Sequence, residues 1–137
     1  MQELYNFRSG FTKQQKAAII GALILVAKSD GHAHPNEIKQ IEETAHMLDI
    51  DFDDPIFMAL ASKGNDEIVR ILNTLDKNQK EWFIVSLHSL VAADGKIPDS
   101  ELNYALGIAE EIGIDEEQYI LIIQKTQALM NRFFSKS

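Results

Sequence analysis

Apolar residues recur every three or four positions along most of the chain, and this spacing is typical of helices that bury one face. One segment shows the pattern clearly, with a predicted core face of Ile38, Ile41, Ala45 and Leu48. A later segment repeats it with Phe83, Ile84, Leu87 and Val91. No segment alternates apolar and polar residues over the length that a strand needs. The pattern therefore predicts an all-α fold.

Capping residues and helix breakers divide this pattern into about seven helices. Thr12 and Asp76 are suited to the N-cap position, and Pro35 is suited to a first turn. Gly64 and Gly113 are suited to the ends of helices. The predicted helices cover about 12–28, 35–48, 54–62, 65–75, 76–91, 98–111 and 116–134. Residues 1–10 can add a short helical arm.

The chain also contains an internal repeat. Residues 11–56 align without a gap with residues 75–120, and twelve of the 46 aligned positions are identical. A unit of this size cannot bury its apolar face alone, so the two copies are expected to pack on each other. We therefore predict a single domain, 1–137, in which two helix-loop-helix repeats form one pseudo-symmetric bundle. A helix at about 65–75 would connect the repeats, and a C-terminal helix would follow the second repeat.

Composition excludes several classes of protein. The chain has 137 residues and no cysteine, which excludes disulfides, thiolate metal sites and thiol nucleophiles. A net charge of −8 argues against a nucleic-acid partner, because a phosphate backbone needs clustered Lys and Arg. The longest apolar stretch, 17–27, has 11 residues, whereas a membrane-spanning helix needs about 20. Residues 1–8 do not form a signal peptide, so the expected location is the cytoplasm.

Each repeat carries an acidic loop after its first helix. An Asp-Gly pair begins each loop, and a glutamate follows six residues after the glycine. The four candidate metal ligands are Asp30, Glu37, Asp94 and Glu101. This spacing resembles the back half of an EF-hand calcium loop, but the side chains at the front positions cannot supply oxygen ligands. The loops therefore favour a shallower, water-rich site for a divalent cation over an EF-hand cage.

A second interpretation assigns the same carboxylates to helix capping. If His34 is an N-cap, Glu37 falls at the third helical position and can accept a hydrogen bond from the capping backbone N–H. Glu101 would have the same role in the second repeat. Asp30 and Asp94 could accept from other free N–H groups at these helix starts. Capping and metal binding both call for carboxylates here, and the sequence leaves both open.

Two histidines in the first loop offer a different set of ligands. His32 and His34 lie close in sequence to Asp30, and two imidazoles with a carboxylate can bind zinc or nickel. The second repeat has Lys96 and Pro98 at the aligned positions, so the histidines do not belong to the repeated pattern. They are therefore weaker candidates than the carboxylates.

The sequence lacks the common catalytic signatures. It has no phosphate-binding glycine loop, no Gly-x-Ser-x-Gly turn and no His-Glu-x-x-His pair. Carboxylates are abundant, but no pair of them stands out for acid–base work. We therefore expect no enzymatic activity and no organic cofactor.

The loops and the segments that flank them resemble the TerB-like family. The second repeat carries the resemblance best, with Leu-Val-Ala-Ala-Asp-Gly at 90–95, then Glu101, then Gly-Ile-Asp at 113–115. The first repeat has a looser version, and together they extend the resemblance over residues 11–120. It implies an all-helical two-repeat domain associated with bacterial tellurite resistance and related stress responses. A similar domain is fused to a membrane-anchored J-domain co-chaperone.

The resemblance also implies divalent-cation binding by acidic residues, here Asp30, Glu37, Asp94 and Glu101. Two hypotheses follow. In the first, a cation bound by these carboxylates changes the surface that the domain presents to a protein partner. In the second, the domain is a metal-independent interaction or scaffold module whose carboxylates are helix caps. Apolar residues near both termini are also compatible with a weak homodimer.

Overall fold

The computed structural model describes residues 10–29, 31, 34–93, 97 and 99–135, with side chains through residue 128. The helices are α1 (Lys13–Ala27), α2 (Pro35–Leu48), α3 (Ile56–Lys63), α4 (Asn65–Leu72), α5 (Lys77–Val91), α6 (Asp99–Glu111) and α7 (Glu116–Ser135). The described residues include no strand. The prediction of an all-α fold with about seven helices is therefore confirmed. The predicted arm at 1–10 lies outside the described residues, apart from Gly10.

Two apolar helices, α1 and α5, form the centre of the bundle. Both contain runs of side chains with no exposed surface, including Ile19, Ile20 and Leu23 in α1 and Phe83, Ile84 and Leu87 in α5. α1 packs against α2, α3, α4, α5 and α6, and α5 packs against α1, α2, α6 and α7. The first helix of each repeat thus contacts both helices of the other repeat. This pattern of contacts agrees with two packed repeats, while the pseudo-symmetry of the bundle and the domain limits stay predictions.

Equivalent helix ends have the same hydrogen bonds in the two repeats. The backbone N–H of Ile50 donates to the Ala45 carbonyl at 3.1 Å, and that of Ile114 donates to the Ala109 carbonyl at 2.9 Å. This bond belongs to the Schellman ending, in which a left-handed residue follows the helix. The second repeat has a glycine at this position, whereas the first has Asp49 with a φ of 57°. Asp49 is the only non-glycine residue with positive φ in the described part of the chain.

The prediction that Ile38 of α2 lies in the core is wrong. Ile38 is 45% exposed, whereas Ile41, Ala45 and Leu48 are buried as predicted. The side chain buried at this level of the helix is that of Glu37. Adjacent residues of an α-helix project about 100° apart, so burial of Glu37 turns Ile38 toward water. A polar residue therefore takes the core place that the apolar spacing assigned to isoleucine.

Candidate metal centre

Three helices of the bundle begin with a glutamine at the third helical position. The side-chain oxygens of Gln15, Gln79 and Gln118 accept hydrogen bonds from the backbone N–H of the N-cap residue at 2.9, 2.9 and 3.0 Å, respectively. In each case the backbone N–H of the glutamine also donates to the side-chain oxygen of the N-cap residue. This reciprocal pair is the capping box, which satisfies two N–H groups that the helix leaves unpaired. A neutral amide is sufficient for this role at α1, α5 and α7.

The helices that follow the two acidic loops have glutamate at the same position. The backbone N–H of His34 donates to Glu37 Oε1 at 3.0 Å, which confirms the predicted capping role of Glu37. Glu101 occupies the third position of α6, but the residue before that helix is Pro98, which has no backbone N–H, so Glu101 cannot accept the N-cap hydrogen bond that was predicted for it. Both side chains are almost fully buried, with exposed fractions of 2% for Glu37 and 1% for Glu101. The repeats thus place matching carboxyl groups inside the bundle, at the first turn of α2 and of α6.

The second carboxylate oxygen of Glu37 lies inside the bundle, where it requires a counter-charge or a hydrogen-bond donor. Glu37 Oε2 is buried and makes no hydrogen bond with the described part of the chain. An ionised carboxylate that leaves water costs several kcal/mol unless a counter-charge or hydrogen bonds compensate. Buried polar atoms in native proteins almost always have a partner, so Oε2 calls for a cation or a further donor. This oxygen is the strongest indication of a ligand in the acidic loops.

The remaining predicted ligands divide into those that the structure describes and those that it does not. Asp30, His32 and Asp94 lie outside the described residues. His34 is exposed at the start of α2. Among the described residues, no three His, Asp or Glu side chains form a group that could hold a metal ion. The predicted site with four carboxylates therefore stays a prediction, to which the structure adds the environment of its two glutamates.

A polar pair between a half-buried histidine and a buried tyrosine was not predicted. His88 Nδ1 lies 3.0 Å from the hydroxyl of Tyr119, and the two rings meet edge to face at a centroid distance of 5.6 Å. Burial lowers the pKa of His88 and raises that of Tyr119. The residues are 31 positions apart on α5 and α7, so spacing along one helix gives no signal of their contact. The pair lies outside the acidic loops, and we assign it a structural role.

The fold and the first-turn glutamates define a helical domain with two acidic helix-loop-helix units. Residues 1–60 match the family model of the tellurite resistance protein TerB. This match covers the first acidic loop and less than half of the chain, and it agrees with the resemblance to the TerB-like family that the loop motifs carry. The comparisons with curated proteins and with solved structures find no significant match. Within the described part of the chain, every helix is too short or too polar to span a lipid bilayer.

Proposed function

We propose that this protein is a non-enzymatic, TerB-like stress-response module that binds a divalent cation through its acidic loops and acts through a protein partner. The observation that carries the proposal is the buried Oε2 of Glu37, which makes no hydrogen bond with the described residues. The family match and the matching position of Glu101 support it.

Glutamine residues elsewhere in the chain indicate that capping does not require a charged side chain, whereas cation binding by carboxylates does. Gln15, Gln79 and Gln118 cap their helices with a neutral side chain. Glu37 forms the same backbone hydrogen bond but brings a negative charge that the cap does not need. Burial makes that charge costly, and a bound cation would offset the cost. Capping alone therefore does not explain why the chain has glutamate rather than glutamine after each acidic loop.

The chemistry of the candidate ligands indicates which ions would fit. Glu37 and Glu101, with Asp30 and Asp94 from the same loops, would supply carboxylate oxygens. Hard oxygen ligands suit Mg²⁺, Ca²⁺ or Mn²⁺. Participation of the imidazoles of His32 and His34 would instead favour Zn²⁺ or Ni²⁺. The carboxylates are the more consistent set, because both repeats contain them.

Exposed apolar side chains support the proposed protein partner. Met47, Phe52 and Met58 lie within residues 47–58, around the end of the first repeat, and Met58 is 81% exposed. The rings of Phe52 and Phe57 stack with a centroid distance of 6.0 Å. Methionine and aromatic side chains are enriched in the core of protein interfaces. If the cation alters this surface, amide hydrogen exchange over residues 47–58 should change when the ion is added, and unchanged exchange would separate cation binding from partner contact.

The second candidate is a metal-independent interaction or scaffold domain whose loop carboxylates are helix caps. The hydrogen bond from the His34 backbone to Glu37 favours it, because this bond is a complete capping interaction without any ion. In that case the glutamates would stabilise the starts of α2 and α6, and no cation would change the stability of the domain. The two candidates therefore differ in one measurable property, the response of the folded state to divalent ions.

The deciding experiment compares thermal unfolding in EDTA with unfolding in Mg²⁺, Ca²⁺, Mn²⁺ and Zn²⁺. The informative variant is Glu37→Gln/Glu101→Gln, because glutamine removes both charges and keeps the capping bond at position 37. The matched control, Glu116→Gln/Glu117→Gln, removes two exposed first-turn charges from α7. A ligand that binds only the folded state stabilises it by mass action. A rise in Tm with one ion, lost in the first variant and kept in the control, supports the cation module; equal Tm values in all ions support the scaffold.

A further inference from the structure

A cleft of about 520 Å³ lies between the start of α5, the turn after α6 and the exposed side of α7. Its volume falls within the roughly 300–1,000 Å³ that is usual for sites of small organic ligands. Ile112, Ile114 and Ile122 contribute apolar surface to it. Leu121, also on the wall, is 57% exposed. The cleft therefore presents an apolar surface of a size that a small ligand could cover.

Three lysines line this cleft in a chain whose net charge is −8. Two of the ammonium groups have partners: Lys80 Nζ donates to the Ile112 carbonyl at 3.0 Å, and Lys125 Nζ lies 2.6 Å from Glu81 Oε1. Lys77 makes no ion pair within the described residues. It occupies the first position of α5, where the helix dipole adds further positive potential. This end of the cleft thus favours an anion.

The two repeats differ in the side chain that faces this lysine position. At the position aligned with Lys77, the first repeat has Lys13, whose Nζ lies 2.7 Å from Asp54 Oδ2. The residue aligned with Asp54 is Gln118, which also lines the cleft. Gln118 uses Oε1 to accept the Asp115 N–H, so its side-chain amide N–H groups remain as donors. The second repeat therefore keeps the lysine and replaces the carboxylate that would neutralise it with a hydrogen-bond donor.

We propose that this cleft binds a small organic carboxylate with an apolar body. The carboxylate lies at Lys77 and Gln118, where it replaces the side chain that Asp54 provides in the first repeat. The apolar body covers Ile114 and Leu121. Charge fixes the orientation of the ligand, and burial of its hydrocarbon part supplies affinity. None of these residues belongs to the acidic loops, so this inference is independent of cation binding.

The test uses octanoate as the probe and the full chain as the protein. Binding is followed by ¹H–¹⁵N chemical-shift titration, which also shows where the probe lies. We expect shifts centred on residues 112–122 and affinity about tenfold weaker in Lys77→Gln, the loss expected for one charge-assisted hydrogen bond. Gln118→Glu should also lose affinity, because glutamate keeps the capping bond, as Glu37 does, and supplies an internal counter-ion to Lys77. The control Lys13→Gln should bind octanoate like the parent protein.

Three results would overturn the proposal. The first is the absence of any shift near the cleft at millimolar octanoate. The second is equal binding of octan-1-ol, which would show that the cleft selects apolar bodies without regard to charge. The third is unchanged affinity in both Lys77→Gln and Gln118→Glu while their thermal stability matches that of the parent protein. Loss of affinity in these variants but not in Lys13→Gln, with octan-1-ol much weaker, would establish the site.

Discussion

The backbone N–H of His34 donates to Glu37 Oε1 at 3.0 Å, and this bond occupies one of two buried carboxylate oxygens. The same bond is made by glutamine at three other helix starts. Glu37 therefore has two separate features. Its capping hydrogen bond can also be made by an amide, whereas its negative charge is not required for capping. Substitutions can separate the two features.

Glu37→Ala and Glu37→Gln should therefore differ in stability when divalent ions are removed. Alanine loses the capping bond, and the free energy of unfolding should fall by about 0.5–2 kcal/mol, the usual range for a lost cap. Glutamine keeps that bond and removes the buried charge, so in EDTA it should match or exceed the parent protein. Urea unfolding measures both values. A glutamine variant as unstable as the alanine variant would show that the charge itself stabilises the fold without an ion.

The two central helices should respond equally to equivalent truncations. Leu23 and Leu87 occupy aligned positions in α1 and α5, and neither side chain has exposed surface. Leu23→Ala and Leu87→Ala should each lower the free energy of unfolding by about 2–5 kcal/mol, because each deletion leaves a cavity. Denaturant unfolding checks the values, and Met58→Ala, at an exposed position, serves as the control. A large loss in only one helix would mean that the repeats do not share the core equally.

Substitutions at the two left-handed positions that follow α2 and α6 should differ in their effect on stability. Gly113 has a φ of 87°, so Gly113→Ala should cost about 1 kcal/mol through backbone strain alone. No atom lies within 4 Å of an added Cβ there, so steric clash does not contribute. Asp49 already has positive φ, and Asp49→Gly should stabilise the protein or leave it unchanged. Thermal unfolding of both variants tests the pair, and a clear loss in Asp49→Gly would show that the aspartate side chain has a role beyond the turn.

His88 should make the protein less stable in mild acid. Burial lowers the pKa of His88 below its ordinary value of 6.5, so the unfolded chain binds the proton more readily than the folded chain. The free energy of unfolding should therefore fall as the pH drops from about 6.5 toward the lower pKa of the folded state. Above that window His88 is neutral in both states and contributes no pH dependence.

His88→Gln isolates this effect, because glutamine can still bond to the Tyr119 hydroxyl but does not titrate. The measurement is Tm between pH 5 and pH 8 for the parent protein, for this variant and for His46→Gln, which alters an exposed histidine. The slope should be smaller in His88→Gln and unchanged in His46→Gln. Identical slopes in all three proteins would place the pH dependence elsewhere.

Local patterns in the sequence predicted most of the helices, because a helix and its ends depend on neighbouring residues. Thr12 and Asp76 cap α1 and α5 as predicted, and Gly64 separates α3 from α4. The error at Ile38 arose because apolar spacing cannot reveal that a carboxyl group takes a core position. The lysine-lined cleft and the His88–Tyr119 pair depend on how separate helices lie together, and no spacing along one segment encodes that.

The capping role of Glu37 could be predicted from its position relative to His34, whereas its unpaired second oxygen could not. Capping depends on a few consecutive residues. The burial of Oε2 depends on the helices that surround the first turn of α2. The sequence therefore indicated which residues to consider for the metal site but could not decide between a cap and a ligand.

The packing of α1 has a consequence for the segment that carries the family match. That segment ends at residue 60, yet α1 is covered in part by α4, α5 and α6, which all begin later in the chain. A fragment cut at residue 60 would expose to water the apolar surface of α1 that α4, α5 and α6 cover. It would also lose the end of α3. The stretch that matches the family model is thus smaller than the set of helices that covers α1, and experiments on its acidic loop need the whole bundle.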